Sequence, residues 1–145
     1  MEDYVTFEQA KKLKELGFDW ECSHYYEGHN NPRLKESTQF SGEHYYVKDF
    51  YHNFNDFNSH HGQPGWPNCS APSLSQAQKW LREVKKINVE VIACFNRSLD
   101  MWQWDCFIQS LEDDEIDEST ISHDTYEKSL SAGIDRALEL LKENK

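Results

Sequence analysis

Chemistry in this chain would come from its histidines and cysteines. His52, His60, His61 and Cys69 lie in one segment, with His44 just ahead of them. Imidazole and thiolate are good zinc ligands, so this set suggests a metal-dependent hydrolase. Its spacing matches no standard zinc site, however, and adjacent histidines rarely ligate one ion from regular structure. A polar surface loop is the favoured reading, with no cofactor and no metal expected. A cysteine nucleophile is the second possibility, through Cys22 with His24 or Cys69 with His60 or His61. It needs a nearby base and a depressed thiol pKa, and sequence proximity supplies neither. Cys22 and His24 would share a strand face, where packing is the commoner reason. The run Glu112 to Glu118 holds six acids in seven residues. Such a run is usually a solvated loop; it lacks the Gly of a calcium loop, and catalysis needs one or two carboxylates in a cleft. Gly62 and Gly65 flank Pro64 and open no helix, so no phosphate cradle exists. No residue is assigned a catalytic role.

The elements that would position these residues are clearest at the two ends. Thr6-Phe7-Glu8-Gln9 is a capping box for a helix over about residues 7 to 16, stopped by Gly17. Phe18 to Tyr26 reads as a strand, with Phe18, Trp20, Cys22 and His24 on one face. Ser73-Leu74-Ser75-Gln76 opens a second helix, about 74 to 86, whose stripe is Leu74, Ala77, Trp80, Leu81 and Val84. Asp124, as N-cap, with Glu127 three residues on, opens a third. Its stripe is Tyr126, Leu130, Ile134, Ala137, Leu138 and Leu141, and it ends near Glu143.

Between the second and third helices lies a hairpin. Val89, Val91, Ala93 and Phe95 alternate with polar or mixed positions, and Trp102, Trp104, Cys106 and Ile108 do so after the turn. Pairing Asn96 with Met101 puts Phe95 opposite Trp102, Ala93 opposite Trp104, Val91 opposite Cys106 and Val89 opposite Ile108. Every pair is apolar, and a slip of one residue would turn the tryptophans to the wrong face. This register also puts Cys94 and Cys106 on opposite faces, unbonded. The expected fold is α+β, with order α-β-β-α-β-β-α. A small antiparallel sheet packs its Phe95, Trp102 and Trp104 face against the second and third helices.

Two stretches resemble a known group of sequences. One is Ala71-Pro72-Ser73-Leu74-Ser75-Gln76-Ala77-Gln78-Lys79-Trp80-Leu81-Arg82-Glu83, leading into Ile87-Asn88-Val89-Glu90-Val91. The other is Thr125-Tyr126-Glu127-Lys128-Ser129-Leu130 with Gly133-Ile134 and Ala137-Leu138. Together they resemble uncharacterised small proteins of gut Bacteroidetes and their phages or prophages. Those carry a P-T/S-x-x-x-A-x-x-W-L-R helix, a Trp-bearing hairpin and a T-Y-E-x-A-x-x-x-G-I-x-x-A-L helix. Ser129 stands where that pattern has Ala. The resemblance implies a fold and a mobile-element setting, and no activity.

The 145 residues suit a single domain, and five Trp, seven Tyr and eight Phe can fill its core. A net charge of −11 argues against nucleic acid, which needs a basic footprint. No 18-residue apolar run suggests a membrane span. Met1-Glu2-Asp3-Tyr4 has neither the positive start nor the apolar stretch of a secretory signal, which points to the cytoplasm. There thiols stay reduced, and the four cysteines read as small buried residues. Residues 27 to 72 hold four of the six Gly, all four Pro and five of the seven His. This insertion is too long for a connector and too aromatic for a disordered linker. Tyr45, Tyr46, Tyr51, Phe54, Phe57 and Trp66 within it are the expected binding residues for a protein partner, as aromatics give contact area at low entropy cost. The expected function is therefore a non-enzymatic protein-interaction module. The alternative is a metal- or cysteine-dependent hydrolase built on His52, His60, His61 and Cys69.

Overall fold

A computed structural model describes residues 3–18, 20, 22, 24–27, 33–36 and 69–143. Its fold is α+β, as expected: three helices and two three-stranded antiparallel sheets among the described residues. The chain forms two compact units, Tyr4–Ser73 and Leu74–Lys145 with residues 1–3.

In the first unit, helix α1 (Phe7–Glu15) starts where the capping box predicts. The Thr6 hydroxyl accepts from the Gln9 N–H at 3.1 Å, and the Gln9 side-chain oxygen accepts from the Thr6 N–H at 2.8 Å. These bonds satisfy donors that a helix N-terminus otherwise leaves orphaned. Gly17, at φ +97°, adopts the left-handed backbone that ends the helix. Strands β1 (His24–Glu27), β2 (Arg33–Glu36) and β3 (Cys69–Ser70) follow, in sheet order β2-β1-β3. Among the described residues regular strand starts at His24, and Phe18, Trp20 and Cys22, expected in it from the sequence, lie outside it. The expected strand at 43–48 lies outside the described residues, as do His44, His52, His60 and His61. Tyr45, Tyr46, Tyr51, Phe54, Phe57 and Trp66 do so too. Tyr26 ties the unit together. Its hydroxyl donates to the Val5 carbonyl at 2.6 Å, and its ring meets Phe7 edge-on at 5.6 Å. Burial raises its phenol pKa.

The second unit contains α2 (Leu74–Glu83), β4 (Ile87–Asn96), β5 (Met101–Ser110), β6 (Asp117–Ser119) and α3 (Tyr126–Glu143). The hairpin adopts the expected register over ten pairs, from Asn96 opposite Met101 to Ile87 opposite Ser110. A left-handed residue precedes each of its strands, Lys86 leading into β4 and Asp100, in the turn, leading into β5. α2 packs on β4, and α3 on β4 and β5. The core between them is Trp80, Leu81, Ile87, Val89, Cys106, Ile108, Leu130, Ile134 and Leu138, all buried. Gly133 brings α3 close to the sheet, for a Cβ there would run into the Cys106 sulfur and lie 2.9 Å from Val89 Cγ1. Arg136 of α3 holds β6 through Glu118, with bonds of 2.8 and 3.2 Å to its two carboxylate oxygens. That guanidinium holds the Glu118 carboxyl below its usual range. Ser129 is fully buried, and its hydroxyl finds no partner among the described residues.

Some expectations are corrected. The sequence suggested one sheet and four strands. The structure adds β2, which is not the strand expected at 43–48, and also β3 and β6, which at two and three residues are too short to leave an alternating pattern. The N-terminal cap of α3 falls one residue late: the Thr125 hydroxyl accepts from the Lys128 N–H at 3.2 Å. Asp124 pairs instead with the Lys128 ammonium at 3.1 Å, which lowers the carboxyl pKa. Val84 is exposed because α2 ends at Glu83. Tyr126 is also exposed, and Leu140 is the buried leucine near the end of α3, with Leu141 half-buried. The largest correction concerns Phe95 and Trp102, expected beneath the helices. They are 45% and 62% exposed.

Candidate functional site: the uncovered end of the hairpin

Ten residues of strand span about 33 Å. The ten residues of α2 reach about 15 Å and the eighteen of α3 about 27 Å. Two helices crossing such a ribbon need not cover its full length, and here they leave one end bare. Burial falls steadily along the apolar face. Val89 and Ile108 are buried at the base, Val91 and Trp104 are half-buried or nearly so midway, and Ala93, Phe95 and Trp102 are open towards the turn.

Tyr126, at the start of α3, marks the limit of helical cover. Its ring meets Trp104 edge-on at 5.5 Å. The Trp104 backbone exchanges two bonds of 2.9 Å with His123, so the chain leading into α3 clamps β5 at this point. Beyond it the Phe95 and Trp102 rings pack only edge-on, 5.4 Å apart. Leu99 adds exposed apolar surface at the turn, and Ile92 and Met101 add it on the opposite sheet face. The turn itself is braced: the Asn96 side chain accepts from the Leu99 N–H at 3.2 Å and donates to Gln103 at 2.9 Å. The exposed rings therefore sit on a fixed support.

The opposite face of the same end holds a shallow depression of about 300 Å³, bordered by Cys94, Asn96, Gln103, Asp105 and Ser122. The Ser122 hydroxyl donates to Asp105. A hydrogen bond with Asp105 raises the Cys94 thiol pKa, against what a nucleophile needs. No histidine borders this hollow among the described residues. Cys94, Asp105 and Ser122 thus form a polar patch without an activated nucleophile.

The remaining sequence candidates fall elsewhere. Cys69 is the one member of the His52, His60, His61 and Cys69 set that is described. It is buried in β3, and burial raises its thiol pKa despite Lys14 and Lys11 nearby. Cys22 is buried with its thiol 3.4 Å from the Trp20 carbonyl, and His24 lies against the Tyr4 ring at 4.0 Å. Both environments are those of packed residues. All four cysteines are free thiols, and Cys106, opposite Val91 in the hairpin, has its pKa pushed up to about 11 by burial. Among the described residues no three His, Cys, Asp or Glu side chains converge where a metal could sit. No described helix is long and apolar enough to cross a membrane.

Sequence reasoning placed Phe95 and Trp102 correctly in the ladder but assigned them to the core. The signal that could have corrected this was length, since the hairpin outruns its helices. No family model matches the chain, and neither a curated protein nor a solved structure matches it.

Proposed function

We propose that this chain is a non-enzymatic protein-interaction module, and that the uncovered end of the β4–β5 hairpin is a binding surface. The observation that carries the reading is the pair of Phe95 and Trp102, exposed on one face of a braced ribbon with Leu99 exposed at its turn. Contiguous exposed apolar surface of this kind marks interaction sites, and tryptophan is prominent among residues that dominate binding energy. Rigid rings lose little entropy on binding. The net charge of −11 favours a partner with a basic rim and speeds encounter with it. The resemblance to small proteins of Bacteroidetes and their phages supports an accessory role in a mobile element. The test is affinity capture with the wild-type chain and a Phe95→Ala/Trp102→Ala variant. The variant should keep its circular dichroism spectrum and lose the captured protein. Equal capture by both chains would overturn the proposal.

A further inference from the structure

The backbone at this end of the molecule is as open as the side chains. In an antiparallel pair, alternate residues turn both backbone groups towards the partner strand or away from it. Trp104 spends its N–H and C=O on His123, on the far side from β4. Its ladder partner Ala93 therefore sits in a non-bonded pair and turns its own N–H and C=O to the outer edge of β4. Val91 and Phe95, two residues to either side, do the same. Val89 fits this parity: its carbonyl accepts from the Gln78 side chain at 2.6 Å, so α2 occupies the edge at that level. From Val91 to Asn96 no described strand or side chain occupies the edge.

Edge strands in monomers are usually blunted by lysine, proline, a bulge or a cover. β4 reads INVEVIACFN and has no lysine and no proline, and its ten ladder pairs run without a bulge. We infer that β4 is the seam of a homodimer, in which two copies pair edge to edge, antiparallel, about a twofold axis at Cys94. A second copy fits because the open segment complements itself. With Cys94 opposite Cys94 of the second copy, small Ala93 faces large Phe95, and this occurs twice across the axis. Ile92 faces Asn96, and Val91 faces Arg97. The only acid in β4, Glu90, lies outside the paired segment, so the axis brings no carboxylates together. The pairing starts beyond Val89, where Gln78 closes the edge. The two sheets then join into one, and each copy covers part of the other's uncovered hairpin.

The experiment is sedimentation equilibrium over a range of concentrations, combined with a short bis-maleimide crosslinker. Cys22, Cys69 and Cys106 are buried, which leaves Cys94 as the accessible thiol. Wild type should sediment at twice the chain mass at high concentration and give one crosslinked dimer band, absent in Cys94→Ser. Ala93→Lys puts a charge on the seam and should sediment as a folded single chain. Should that variant not fold, Phe95→Lys, at a side chain already open, reads the same seam. A wild-type chain that stays single at every concentration would overturn the dimer. So would a dimer that survives either lysine variant or gives no Cys94 crosslink. A single chain that still captures a protein through Trp102 would refute the dimer and leave the protein-binding reading standing.

Discussion

A Gly133→Ala chain should unfold several degrees below wild type, although alanine is the better helix former. The helix-propensity gain is about 1 kcal/mol. Against it stands overpacking, which commonly costs about 1–3 kcal/mol and more when nothing can yield. Here the added methyl meets the Cys106 sulfur and lies 2.9 Å from Val89 Cγ1, and both neighbours are buried on a paired ladder. A net loss of about 2 kcal/mol is expected, read by thermal or urea unfolding. Cys106→Ala removes the clashing sulfur. The double variant should therefore be more stable than the sum of the single effects by about 1 kcal/mol or more, the mark of direct contact. A Gly133→Ala chain at least as stable as wild type would contradict the close approach of α3 to the hairpin.

The tryptophans provide the second large effect, because the structure assigns them opposite roles. Trp80 of α2 is fully buried, with the Lys85 ammonium 5.6 Å from its ring. Trp80→Ala removes the largest fully buried side chain and leaves a cavity, at a cost of about 3–5 kcal/mol. On a domain of marginal stability that is enough to unfold much of the population at 37 °C. Trp102→Ala removes a ring that is 62% exposed, so its midpoint should move by no more than about 1 kcal/mol. Equal losses at the two sites would mean that the hairpin end is covered after all.

That contrast also shows what could be read from the sequence. The ladder register was legible in full, because an apolar residue on the wrong face at any position would have penalised a slip. Alternation tells which face a residue occupies, however, and not whether anything lies over that face. Cover at Phe95 and Trp102 depended on how far α2 and α3 reach along the ribbon, a matter of element length rather than pattern. The caps divided similarly. Thr6 had one partner three residues on and was read correctly. Asp124 and Thr125 are both good acceptors side by side, and the Asp124 carboxylate was drawn off by Lys128. The short strand β6 is held by Arg136 and by backbone bonds such as Thr120 N–H to Cys106 O at 2.9 Å. Those are contacts between residues distant in sequence, which no local pattern announces. The acidic run read as a solvated loop thus runs into a strand at Asp117.

The central claim is that the uncovered hairpin end meets another protein. It is tested most directly by a photocrosslinking phenylalanine derivative placed at Leu99, beside the exposed rings, and separately at Lys142, on the outside of α3. Irradiation in lysate should give a discrete adduct with a different protein from the Leu99 position, lost when Phe95 and Trp102 are both alanine, and none from Lys142. No adduct at Leu99, or the same adducts from both positions, would contradict the assignment of this end as the binding surface.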